Sequence, residues 1–306
     1  MQRFVKIPYI TSLLFLAYMP FHIFLSQSLS LLTGGLDAWK IGKDLLLMVV
    51  TLFTICLVWQ QGKATKLFRT VVFVAIAYGA LHLLLWKMYP DLYARSAILG
   101  TIYNVRLLLF AILGMSAVLL LSKFAFSSLL KWVVIISTIV ATLGIVQYFL
   151  PPDTLTHVGY SLERGVRPTF AIDDNPDFVR IMSTLREPNA LGAYLILPLT
   201  ALTVWFFRVK NTNKRQILAG LFGLHALAIL LTFSRSAWLA AALAVTLALW
   251  WENKAWVIAQ TKRHWPILAS LVLLVGIIGF TQRNSHFFQQ YIVHSNSQET
   301  VKDLDS

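Results

Sequence analysis

The sequence predicts an all-α, polytopic integral membrane protein with about nine transmembrane helices and a large outer loop between helices five and six. Three observations lead there. Of the 306 residues, 58% are hydrophobic and 13% charged, with a mean hydropathy of +0.69; a soluble chain holds about 45–50% apolar and about 25% charged residues. The apolar residues come in runs free of Asp, Glu, Lys and Arg, close to the roughly 20 residues a helix needs to cross a bilayer with its backbone polar groups satisfied internally. The charges, finally, fall unevenly on the two sides of those runs.

In chain order the runs cover residues 7–36, 45–62, 70–86, 96–122, 132–152, 188–207, 216–234, 236–251 and 264–282. The fourth is interrupted only by Arg106. Arg3 and Lys6 precede the first run as in a signal peptide. That run is far longer than the apolar core of about 7–15 residues such a peptide has, and no small-residue cleavage site follows promptly, so it is predicted as a retained helix. No repeat, low-complexity tract or Gly/Ser linker divides the chain. Residues 1–150 are read as helices one to five, 151–187 as the outer loop, 188–282 as helices six to nine, and 283–306 as the start of a second outer segment.

A net charge of +13 would direct a soluble protein toward nucleic acid. Here, the segments that alternate with the N-terminus hold fourteen basic residues against one acid, Glu252. The opposite segments hold eleven basic residues and the other twelve acids. This is the positive-inside pattern, with the N-terminus in the cytoplasm and the long loops outside. It removes the main support for nucleic acid binding and predicts a multi-pass protein of the cytoplasmic membrane in contact with its lipids. The single cysteine, Cys56, lies in an apolar run, so no disulfide framework is available within the chain.

Few polar residues remain to carry chemistry. Arg106 lies inside its run, where a guanidinium either snorkels to the headgroups or faces a partner or wet cavity. Arg235 is the only charge between two apolar runs, beside Trp238, and is either an interfacial anchor or part of a site. The segment from Arg180 to Leu195 closes the large loop and opens helix six. Pro188 and Glu187 suit a helix start, while Arg180 and Arg186 bring fixed positive charge to a helix N-terminus, where an anion is favoured. Asp173, Asp174 and Asp177 have the spacing by which prenyl-diphosphate enzymes hold magnesium. Those carboxylates need a helix to converge and Pro176 interrupts one, so the segment reads as a solvated loop without metal. His22, His82 and His225 read as polar residues packed within helices; His157, His286 and His294 fall in outer segments. None of the 13 acids falls within a run, which argues against ion-coupled transport. Walker A, Gly-x-Ser-x-Gly and His-Glu-x-x-His sequences are absent.

Arg180 followed by Ser183-Thr184, then Pro188-Asn189-x-Leu191-Gly192-x-Tyr194-Leu195 and, further on, Leu231-Thr232-x-Ser234-Arg235-x-Ala237-Trp238 resembles the O-antigen ligase and O-antigen polymerase superfamily. The resemblance covers residues 151–282, and the N-terminal helices only by topology. It implies a glycosyltransferase that uses no nucleotide sugar, metal or other cofactor. The donor would be an oligosaccharide on a polyprenyl diphosphate, and the acceptor a hydroxyl on a glycan, lipid or protein. Carried over by position, Arg180 and Arg235 resemble the family's outward arginines that hold the diphosphate, and Arg106 a third; Arg186 joins them as a neighbouring cation. The family places a histidine in a later outer loop, before further helices, to activate the acceptor. Because this sequence stops at Ser306, the resemblance leaves two expectations: a chain truncated before that part, or a divergent member lacking it, for which Glu187 and His294 are the candidates for the base. The competing reading is a transporter or flippase of anionic or polyprenyl-linked molecules, which requires a path open to both faces.

Overall fold

The computed structural model describes residues 6–88, 93–121, 123–172 and 175–281. They are predominantly helical and form two compact units: one reaching to Val140 and including Val158–Tyr160, the other made of Ala141–His157 and the chain from Ser161 onward.

The first unit contains α1 (Ile7–Tyr18), α2 (His22–Thr33), α3 (Leu36–Gln60), α4 (Lys66–Met88), α5 (Ala94–Leu121) and the greater part of α6 (Lys123–Tyr148). The first predicted helix is broken. A 3-10 turn, Met19–Phe21, separates α1 from α2 around Pro20, which has no N–H to continue the ladder. Gly34 and Gly35, both at positive φ, then turn the chain into α3. At the other end of α3, Gly62 N–H donates to the Trp59 carbonyl and Lys63 N–H to that of Val58, a Schellman closure built on the left-handed Gly62. Thr65 Oγ1 caps α4 by accepting from Phe68 N–H. Leu57, Val58, Phe68, Val72 and Ile112 pack α3, α4 and α5 together, and Phe15, Leu47 and Leu113 join α1 to α3 and α5.

Burial in this unit is inverted relative to a soluble bundle. Phe73 is 70% and Leu107 77% exposed, whereas Lys43, Asp44, Thr51, Thr54 and Ser116 are buried. Apolar outer surface around polar interior residues is what a lipid solvent favours. Asp44 corrects the sequence reading: the span there is Ile41–Gln60, so an acid does lie inside a membrane-length helix. Its burial against Lys43 is what allows a charge within an otherwise apolar span.

The second unit holds the end of α6, a short hairpin, and α7 (Pro188–Arg208), α8 (Thr212–Leu231) and α9 (Arg235–Thr281). The hairpin departs from the all-α expectation. Its strands β1 (Phe170–Ile172) and β2 (Asn175–Arg180) are antiparallel, pair Phe170 with Arg180, and have an irregularity between Ala171 and Ile172. Leu191, Leu195, Leu199 and Leu202 are buried along α7, which packs against both α8 and α9. Of the last two predicted helices, 236–251 and the described part of 264–282, up to Thr281, fall within α9, which kinks at Asn253 (φ −152°, ψ 65°). Next to that kink Glu252 accepts a bidentate pair from Arg208, at 2.6–3.1 Å.

Among the described residues, seven helical segments are long and apolar enough to cross a membrane: 7–33, 41–60, 66–88, 96–121, 126–148, 188–208 and 212–231. They match the first seven predicted runs and mark a multi-pass membrane protein.

Candidate functional site

Three pieces of the second unit meet at one place: the end of β2, the start of α7, and the turn between α8 and α9. Each is shaped by local sequence. Pro188, in the first turn of α7, has the fixed φ a helix start prefers. Leu191 N–H donates to the Glu187 carbonyl to close that turn. At the α8 end, Thr232 Oγ1 donates to the Ile229 carbonyl and accepts from Ser234 N–H, and Phe233 takes a positive φ of 50°. The chain thus passes from α8 to α9 within three residues. Ser234 Oγ accepts from Ala237 N–H, capping α9.

Arg180 joins these pieces. Its Nε donates to the Thr232 carbonyl at 3.0 Å and its Nη2 to Asn189 Oδ1 at 2.9 Å. One residue on, Ile181 N–H donates to the Leu231 carbonyl. The half-buried guanidinium is therefore held between the first turn of α7 and the turn that leads into Arg235, the first residue of α9. Burial lowers the hold of Arg180 on its proton; nearby Glu187 opposes this and nearby Arg235 adds to it. Arginine remains cationic through such a shift. Arg235 and Glu187 are both exposed.

The helices can approach because Gly192 lacks a side chain. A Cβ there would lie 2.5 Å from Ala237 Cβ and 3.4 Å from Thr232 Oγ1. From the other side, Gln147 in the last turn of α6 accepts two backbone N–H bonds through one Oε1, from Met182 at 3.1 Å and Ser183 at 2.7 Å. This fixes the turn after Arg180, where Ser183 has φ 54°. Gly144, a turn earlier on α6, leaves room for Ile181 and Ser183. Sequence reasoning missed Gln147 and Gly144, whose only signal was one amide and one glycine in an apolar run.

The result is two helix N-termini and two guanidinium groups around a patch with Glu187 nearby among the described residues. Backbone dipoles and fixed cations both favour an anion in such a place. Beside it lies an apolar groove of about 240 Å³, lined by Leu199, Phe222, Ile229, Trp238, Ala241 and Val245. Trp238 belongs to both regions: it stands one turn after Arg235, and its indole N–H donates to the Ile229 carbonyl at 3.0 Å.

The other candidate residues are placed differently. Arg186 is exposed and its Nη2 reaches the Gly165 carbonyl at 3.5 Å. Arg106 belongs to the first unit, where it forms an ion pair with Asp44 and sits over the Tyr103 ring. His294, Asp173 and Asp174 lie outside the described residues, as does the side chain of Asp177. His22, His82 and His225 each bond through Nδ1 to a carbonyl of their own helical neighbourhood, at Met19, Tyr78 and Leu221. Compared with known proteins, the chain matches no family model, no curated protein and no solved structure.

Proposed function

We propose that this protein is a membrane glycosyltransferase that moves an oligosaccharide from a polyprenyl diphosphate to an acceptor hydroxyl, in the manner of O-antigen ligases and polymerases. In this reading it has about nine transmembrane helices in the cytoplasmic membrane, with its N-terminus inside and the 151–187 loop outside, and it serves cell-surface polysaccharide assembly. The single observation that carries the reading is Arg180 locked beside the N-termini of α7 and α9 with Arg235 close by. As a glycosidic bond to a diphosphate breaks, negative charge grows on the leaving group, and preorganised guanidinium and N–H donors stabilise that charge. The groove at Trp238 would seat the first apolar units of the carrier. Glu187 is the acid near enough to Arg180 to influence its charge, and so the described candidate for activating an acceptor.

The test uses membranes carrying the full chain, a radiolabelled polyprenyl-diphosphate oligosaccharide, and an acceptor extract. Label should move from the lipid to the acceptor, and Arg180→Ala should abolish the transfer while the protein still inserts. Transfer that persists undiminished in Arg180→Ala overturns the reading. Asp44 within a span favours one alternative, a transporter or flippase of anionic lipids, since a buried carboxylate paired with cations is common along transport paths. In that case the labelled lipid would change leaflet without losing its glycan.

A further inference from the structure

Two cations and a carboxylate meet inside the first unit. Lys43 and Asp44 are consecutive residues of α3 within the span Ile41–Gln60, and Arg106 projects from α5. Lys43 Nζ donates to Asp44 Oδ2 at 2.9 Å, with side-chain exposures of 6% and 3%. The other carboxylate oxygen, Oδ1, faces Arg106 Nη1 at 3.7 Å, and the Arg106 side chain is 32% exposed. The two contacts are unequal. The first is a buried charge-assisted hydrogen bond; the second is an ion pair too long for one.

That inequality has a consequence for charge. Asp44 gives its short hydrogen bond to Lys43 and only a longer ion pair to Arg106, the member of the trio that opens toward space, so Arg106 is the less firmly paired of the two cations. The Arg106 guanidinium lies 5.6 Å from the Tyr103 ring centroid, which steadies the cation without neutralising it. A flat, five-donor fork with one loose carboxylate partner is ready to exchange that partner for a better one.

We propose that Asp44 is a built-in competitor for Arg106, which occupies the guanidinium while no ligand is bound and gives it up to the phosphate oxygens of an anionic lipid. Lys43 makes the exchange possible. Without Lys43, Asp44 would have Arg106 as its one described cationic partner and would hold it tightly; with Lys43, the released carboxylate stays paired within the span. Asp44 and Lys43 are thus positioning residues that set the affinity of Arg106. The inference rests on the function proposed above only for its class of ligand, a lipid-linked diphosphate.

A competitor and a structural ion triad make opposite forecasts, because a triad loses binding whichever member is removed. The experiment measures binding of farnesyl diphosphate to the purified full chain in detergent, with farnesol and inorganic pyrophosphate as separate arms. Asp44→Asn is expected to tighten farnesyl diphosphate binding by about five- to tenfold and Lys43→Met to weaken it by a similar factor. Should Asp44→Asn fail to fold because buried Lys43 loses its hydrogen bond to the carboxylate, the double variant K43M/D44N decides, since it removes both charges and should also bind more tightly than the unaltered chain. Weaker binding in Asp44→Asn or in the double variant, or an unaltered chain that ignores farnesyl diphosphate, overturns the inference. Opposite shifts in the single variants without glycan transfer would keep the inference and defeat the proposed function. Transfer with shifts of the same sign would do the reverse. Binding of inorganic pyrophosphate as tightly as farnesyl diphosphate would overturn the lipid part of the claim.

Discussion

Asn189 accepts a hydrogen bond from Arg180 across nine residues of sequence, so the second residue of α7 aims the guanidinium that ends β2. A bond to a charged donor contributes about 1.5–3 kcal/mol. Since Asn189 is exposed, removing it should perturb the site more than the fold. Asn189→Ala is expected to reduce affinity for a short polyprenyl diphosphate by about tenfold, with an unchanged melting temperature. Asn189→Asp keeps the acceptor but adds a negative charge, and should weaken the same ligand while leaving Arg180 in place. Calorimetric titration of the two variants separates aim from charge; equal affinity in both and in the unaltered chain would remove Asn189 from the site.

The two arginines differ in how firmly they are held, and Lys substitutions should expose the difference. Arg180 uses Nε and Nη2 for two fixed partners, which leaves a defined edge for a ligand. Lysine has a single ammonium on a flexible stem and cannot reproduce that division. Arg235 is exposed at the start of α9, where charge and position matter more than a fork. Arg180→Lys should therefore lose most of the transfer activity, while Arg235→Lys retains a substantial part. A transfer assay that ranks them the other way would reverse the roles assigned here.

What the sequence disclosed follows the range of the interactions involved. Seven membrane-length helices were legible because composition averaged over a span reports burial in lipid, and this needs no knowledge of neighbours. The break at Pro20 was hidden inside one apolar run because a 3-10 turn keeps the run apolar. Asp44 was misplaced by a rule that ends a span at its first charge, a rule that fails where a neighbouring cation is buried with it. The approach of Arg180 to Thr232 spans 52 residues; local patterning carries no signal at that separation, and only the resemblance of the two motifs put them on one page. The one signal at Gln147, a lone amide in an apolar run, was too weak to act on, since such a side chain at a helix end normally just faces water or headgroups.

Gly192 sets the distance between α7 and α9. Alanine there would place its Cβ 2.5 Å from that of Ala237, which no rotamer relieves. Overpacking of this kind costs about 1–3 kcal/mol. Gly192→Ala is expected to lower the melting temperature and to weaken ligand binding together, because the α7 start carries Asn189 and the α9 start carries Arg235. The companion change Ala237→Gly removes the opposing methyl and should restore both. A double-mutant cycle measured by thermal unfolding in detergent checks this; additive effects would mean that the two positions do not share the contact.

Gln147 bears on the site through the backbone alone. Its Oε1 gathers the N–H groups of Met182 and Ser183, and that pairing holds Ser183 at φ 54°, where an L-residue sits only under constraint. Met182 and Ser183 are buried, so their N–H groups would find no water in place of the lost acceptor. Each buried donor left unsatisfied costs about 1–3 kcal/mol. Gln147→Leu should accordingly destabilise the second unit and loosen the segment that presents Arg180, with faster hydrogen exchange at Met182 and Ser183. Gln147→Glu retains the accepting oxygen and should preserve both stability and exchange protection. Ser183→Gly, which suits a positive φ, should be tolerated in the unaltered background and should recover part of the stability lost in Gln147→Leu. If Gln147→Leu leaves exchange at residues 182 and 183 as slow as before, the turn is held by its own packing and the amide is dispensable.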